Sequence, residues 1–140
     1  MSEQNRSVVR RIVENHWNQK NPSLVTELFD AQATLYTPDG TLRGIAGASQ
    51  LLAAYTNAFP NFRLHIDDLR SDEDAVTLRW TFTGTQNGPF GEIAASGRSV
   101  SVPGIAIFEI VDGKARDVHM LWDKFALMQQ IGAPARQAAV

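Results

Sequence analysis

Between Ala115 and Trp122 polar and apolar residues interleave as on a β-strand. The twofold period puts Asp117, His119, Leu121 and Asp123 on one face and Arg116, Val118, Met120 and Trp122 on the other. One imidazole and two carboxylates on a single face form the densest ionisable group in the chain. If that face looks into an apolar interior, a carboxylate there loses hydration and its proton affinity rises. It then becomes a general base or acid near neutral pH. Asp123 has a second role open to it, because it directly precedes a helical stretch starting at Lys124, where aspartate is a favoured cap. The two roles are compatible. His119 taken alone fits a hydrogen-bonded strand histidine as well as a catalyst. Asp117, beside a hairpin, is expected in water.

Other chemistries lack their residues. On an extended strand His119 and Asp123 stand roughly 13 Å apart, too far to share one ion, so no metal site is expected. The chain has no cysteine, which removes disulfide and thiolate chemistry. It has no Gly-x-Ser-x-Gly elbow, and the glycines at 84 and 88 are not followed by the Lys-Ser/Thr of a phosphate loop. The net charge of −2, with Arg10-Arg11 the only adjacent basic pair, gives no surplus for neutralising phosphates, so no nucleic-acid partner is expected. No apolar run approaches the roughly 20 residues of a membrane span. The polar start from Met1 to Arg11 lacks the core of a signal peptide, so a cytoplasmic location is expected.

The elements that must carry these residues follow from periodicity. Val8, Val9, Ile12, Val13, His16 and Trp17 recur at helical spacing and predict a long amphipathic first helix. Asn21 and Pro22 open a short helix with Leu24, Val25, Leu28 and Phe29 inward. A short strand is expected over Ala33–Tyr36, then the turn Thr37-Pro38-Asp39-Gly40 and a helix over Gly47–Phe59. From Asn61 the period becomes twofold. Phe62, Leu64 and Ile66 alternate with polar residues, His65 among them, which is expected exposed. Val76, Leu78, Trp80 and Phe82 do the same. A Gly-rich connection leads to a long strand over Val100–Val111, where Pro103-Gly104 predicts a bulge or bend. Asp112-Gly113 signals a hairpin into the last strand, and a helix from Asp123 to Ile131 stops at Gly132.

Helices, then hairpin-linked strands, then a terminal helix predict one α+β domain over residues 1–140, its sheet curled over the first helices into a cone. Trp80 and Phe82 are expected in the core. Trp17, at the end of a helix across the cone, fits either core or pocket lining.

From Phe59-Pro60-Asn61-Phe62-Arg63 onward the chain resembles a known family. The likeness continues through Asp74-Ala75-Val76, Thr81-Phe82-Thr83-Gly84-Thr85, Gly97-Arg98-Ser99-Val100 and Phe108 to Lys114. It ends with His119-x-x-x-Asp123 and Met128-Gln129-Gln130-Ile131-Gly132. This order and spacing is similar to the SnoaL-like polyketide cyclases of the NTF2-like superfamily, whose fold is a cone with a strongly curved antiparallel or mixed sheet around N-terminal helices. The first half fits through Trp17 and Tyr36-Thr37-Pro38-Asp39-Gly40. The resemblance implies a homodimer or higher homo-oligomer and an apolar cavity for a small aromatic ligand. It also implies an intramolecular aldol closure without cofactor, metal or covalent intermediate. By that resemblance Asp123 is the general acid/base and His119 hydrogen-bonds the substrate or steadies Asp123. Trp17, Tyr55, Tyr36 and Trp80 line the ligand site, and Gln86 stands where many relatives carry a histidine. Within the superfamily an isomerase would need an oxyanion donor from Tyr55 or Tyr36. An epoxide hydrolase would need Arg79 beside Asp123. A non-catalytic binding or dimerisation module is the alternative of another class.

Overall fold

In the computed structural model residues 2–132 are described, so the expected domain 1–140 runs past them at both ends. Helix α1 (Ser2–Arg11) passes without interruption into a π-helical turn over Ile12–Trp17. The wider turn is held by Asn18 N–H on the Val13 carbonyl (2.9 Å) and Asn21 N–H on the His16 carbonyl (3.0 Å). It puts Ile12, Val13 and His16 inside, with Trp17 packed on Tyr55 and Phe62. The Asn21 side chain accepts from Ser23 N–H at 3.1 Å, opening a 3-10 turn over Pro22–Leu24 with proline in its first position. Helix α2 (Val25–Leu28) completes the segment.

Strand β1 (Phe29–Thr37) starts earlier than the expected Ala33, and takes Phe29 out of the helix assigned to it. Asp30, Ala31 and Gln32 do not alternate, which hides the strand. Pairing with the last strand creates it, through Phe29 opposite Ala115 and Leu35 opposite Val118. A short strand β2 (Gly40–Arg43) follows the turn, an element with too few residues to show a period, and helix α3 (Gly44–Ala58) starts at once. Strands β3 (Arg63–Asp72), β4 (Ala75–Thr85), β5 (Ser99–Val111) and β6 (Lys114–Trp122) come next, and α4 (Lys124–Gln130) closes the described chain.

The six strands lie in the order β2-β1-β6-β5-β4-β3. Only β1 and β6 run parallel; the other neighbours are antiparallel, so the sheet is mixed. Its edges, β2 and β3, do not pair, and the sheet is curved but open. Helix α1 packs on β3 and β4, α3 on β1 and β2, and α4 on β5. The inner face shows the alternation read from sequence on β4, where Val76, Leu78, Trp80 and Phe82 are buried, and β5 has the same pattern through Val100, Val102, Ala106, Phe108 and Ile110. One expectation fails here. The β4–β5 register runs unbroken through Thr81 opposite Pro103 and Trp80 opposite Gly104. The Pro103 carbonyl accepts from Asp123 N–H, so the side of Pro103 that lacks a donor faces the end of β6 and costs the β4–β5 ladder no bond. Register shifts fall instead between Ile66 and Asp68 and between Glu109 and Ile110. Among the described residues no helix is long and apolar enough to cross a membrane.

Candidate functional site

The inner face of the sheet and the π-helical turn enclose a small cavity, about 60 Å³ open to the centre of a water molecule. At roughly 10–15 Å³ per water on this measure, a ligand larger than one ring must push side chains aside. Strand periodicity supplies one wall, with Leu78, Trp80 and Phe82 from β4, Val102 and Phe108 from β5, and Met120 and Trp122 from β6. The helical stripe supplies the other through Ile12, Val13 and Trp17, with Tyr55 of α3 between them. The wall is largely apolar, and two of its polar groups, the Tyr55 hydroxyl and the Trp122 indole nitrogen, come together at one place.

Tyr55 is 4% exposed. Its hydroxyl reaches Asp39 Oδ2 at 3.4 Å, long for a hydrogen bond between oxygens. Burial, with the Asp39 carboxylate adding to it, pushes the phenol well above its ordinary value, so it stays protonated. Asp39, from the β1–β2 turn, is ion-paired with Lys124 at the first position of α4. The Trp122 N–H lies beside the Tyr55 hydroxyl and is buried, but completes no regular hydrogen bond there. His16 is the other buried titratable group among the described residues. Its Nδ1 lies 3.0 Å from the Asn21 carbonyl, which can only accept, so Nδ1 carries the proton and buried Nε2 is left bare. Burial holds this imidazole below its usual value.

Trp17, Tyr55 and Trp80 line the cavity together. The ionisable face of β6 does not join them. Met120 and Trp122 take the inward positions, so His119 and Leu121 point outward, and the desolvated placement considered for Asp123 is not found. Asp123 is exposed and caps α4, its Oδ1 accepting from Ala126 N–H at 2.9 Å. His119 lies on the outer face with its ring stacked on Tyr36, centroids 4.4 Å apart and planes 10° from parallel. The parallel register pairs the same two residues across β1 and β6. Gln86 is fully buried but does not line the cavity. Its amide donates to the Gly88 and Ala94 carbonyls (3.2 Å each) and accepts from Ser96 N–H (3.0 Å), pinning the loop from 86 to 96. Arg79 is exposed, opposite in phase to Trp80. Sequence reading missed Met120, Trp122 and the Asp39–Lys124 pair. The first two were visible as the other phase of β6, whereas the pair joins residues 85 apart and has no local signal.

Outside the sheet, Tyr36, Pro38, Ile105, Ile107, His119 and Leu121 border a wide shallow groove of about 370 Å³. Leu121 is 66% exposed there, with Ile105 and Ile107 close to half exposed.

A protein-family model, SnoaL-like polyketide cyclase, matches residues 7–131. Solved structures agree. A candidate SnoaL-like polyketide cyclase from Jannaschia sp. CCS1 is 25% identical with a TM-score of 0.88, over 95% of this chain and 94% of that one. TsrD from Streptomyces laurentii is 28% identical with a TM-score of 0.86, over 96% and 98%. A protein of ketosteroid isomerase-like fold from Catenulispora acidiphila DSM 44928, solved with trimethylamine, is 20% identical with a TM-score of 0.79, over 92% and 95%, and shares the fold. No curated protein matches the chain. With the mixed α+β architecture of the NTF2-like and ketosteroid isomerase-like proteins and a family match over nearly its whole length, the chain belongs to the SnoaL-like polyketide cyclase family.

Proposed function

We propose that this protein is a cyclase-type enzyme that closes a ring in an apolar carbonyl compound by proton transfer. The observation carrying this reading is the apolar cavity whose wall holds one ionisable proton, that of Tyr55, linked to a carboxylate at Asp39. In such a reaction a base takes the proton from the carbon beside a carbonyl. The enolate carbon then bonds to a second carbonyl carbon of the same molecule, and the resulting alkoxide takes a proton. The cavity contributes by holding the two carbons together and excluding water.

Two carboxylates belong to the β6–α4 end of the cone and compete for the base. Asp123 is the family's candidate, and its second oxygen is not used by the cap. Asp39 is hydrogen-bonded to a cavity-lining group, which favours it on geometry. Asp39→Asn and Asp123→Asn should be assayed side by side on aromatic polyketide esters. We expect Asp39→Asn to show the larger loss in kcat, on the order of 10²–10⁴-fold as for a general base. A larger loss at Asp123→Asn would transfer the role to that residue. Turnover intact in both would sink both carboxylates as the base, whereas a parent protein without turnover would leave a binding module, which the apolar cavity wall also suits. His119, stacked on the outer face, fits a role in holding Tyr36 and the groove rather than touching substrate.

The homo-oligomer implied by the family resemblance is supported by the outer groove, where burying Leu121 and Ile107 against a second copy would remove exposed apolar surface from water. Ile107→Lys should lower the mass measured by sedimentation equilibrium. An unchanged mass would remove this face from the interface.

A further inference from the structure

Two hydrogen-bond donors in the cavity wall lack an acceptor suited to them. The Trp122 indole N–H is buried without a regular hydrogen bond, its neighbouring oxygen being the Tyr55 hydroxyl, and that hydroxyl itself donates only through the long contact to Asp39. An N–H removed from water without an acceptor is costly, so its retention in a pocket calls for a compensating role. The two rings meet edge to face, centroids 5.6 Å apart and planes at 90°, one from α3 and one from the end of β6. Neighbouring Trp17, Trp80, Phe82 and Met120 offer no competing acceptor oxygen.

We infer that Tyr55 O–H and Trp122 Nε1–H form a two-donor subsite for a single ligand oxygen, a carbonyl that becomes an enolate or alkoxide. This rests on the cavity being the substrate site, as proposed above. Both donors are neutral. Lys124, the nearby cation, is engaged by Asp39. A site built this way donates to one oxygen and strengthens as charge gathers on it, as on an enolate, an alkoxide or a phenolate. Burial of Tyr55 keeps its proton in place for donation. Asp39, by accepting weakly from the same hydroxyl, orients it without holding it, and a ligand oxygen can draw the proton away. Tyr55 and Trp122 therefore touch the reacting oxygen, whereas Asp39 acts on it through Tyr55.

The test uses two single-ring probes of one shape. 4-Nitrophenol presents an oxygen whose ionised form absorbs visible light, and 4-nitrotoluene presents a methyl group in its place. The parent protein should bind ionised 4-nitrophenol about tenfold more tightly than 4-nitrotoluene, as expected of hydrogen bonds to a charged acceptor. Tyr55→Phe and Trp122→Phe should each lose most of that preference while keeping their affinity for 4-nitrotoluene, which also reports that the cavity is intact. On the parent itself, 4-nitrophenol should move the Trp122 indole N–H resonance downfield, an effect that needs no variant. If 4-nitrotoluene binds but 4-nitrophenol gains nothing and the indole resonance stays still, the subsite is overturned and the cavity reading stands. If neither probe binds the parent, both fall together.

Discussion

Phe59→Ala should destabilise the protein by about 3–5 kcal/mol, the range for emptying a buried aromatic site. Phe59 has no exposed surface and lies just past the end of α3, where the chain turns toward Pro60. Its ring stacks near-parallel to Tyr55 (6.3 Å between centroids, 15°). It also meets Phe82 edge-on at 5.3 Å and touches Phe90 at 5.9 Å. The site is backed by Gly84, where an added Cβ would come within 3.3 Å of Phe59 Cβ, so the walls have little to collapse with. Against a typical total of about 5–15 kcal/mol, the loss puts the variant near its unfolding threshold. The effect should also reach the cavity, because Tyr55 and Phe82 both line it and both lean on this ring. Denaturant unfolding at unchanged m-value measures the cost. Phe125→Ala, at a 53% exposed aromatic, should change stability by no more than about 0.5 kcal/mol. A comparable fall in both variants would show that ring burial is not what separates them.

The contrast between these two phenylalanines marks how far the sequence could be read. Twofold alternation identified the inner face of β4 residue by residue, because a strand between two neighbours and under helices has one phase for the core. On β6 the same periodicity separated the two faces from Val118 onward but could not say which looks inward, and it misplaced Arg116, which is exposed beside the buried Ala115 where the β5–β6 register shifts. One phase carries Val118, Met120 and Trp122 and the other His119 and Leu121. The family resemblance drew attention to His119 and Asp123. Packing chose the other phase, since Met120 and Trp122 bury more apolar surface against Tyr55 and Leu127 than an imidazole and a carboxylate could. The cap at Asp123 was legible because it joins residues only three apart. The Asp39–Lys124 pair was not, since the β1–β6 parallel pairing that draws the two ends together is a non-local event. Gln86 shows the same limit. Its type suggested a ligand contact, and only the path of the loop from 86 to 96 reveals that every amide position is taken.

Gly104→Val should lower stability by about 1–3 kcal/mol, the cost of overpacking a filled interior, and should abolish 4-nitrotoluene binding. Gly104 lies on β5 directly between Trp80 on β4 and Trp122 on β6, a large–small–large row across the inner face. A Cβ there would stand 2.2 Å from Trp80 Cζ2 and 2.3 Å from Cε2, within the body of the indole. Neither partner yields easily. The indole is a rigid plane, and the β4–β5 ladder holds the backbone on both sides of the contact. In an ordinary strand, replacing glycine would help by about 0.5–1 kcal/mol through chain entropy, so a net loss isolates the clash. Relief requires Trp80 to swing off Gly104 toward the cavity, the open volume beside it, and a cavity of about 60 Å³ cannot accept an indole and keep a ligand. The glycine thus sets how flat Trp80 lies and, through that, whether the cone has an interior. Trp80→Leu in the Gly104→Val background supplies the control. Removing the ring should recover part of the stability that Gly104→Val loses, giving a coupling of roughly 0.5–3 kcal/mol in a double-mutant cycle. Strict additivity would mean that Trp80 is not what the glycine makes room for.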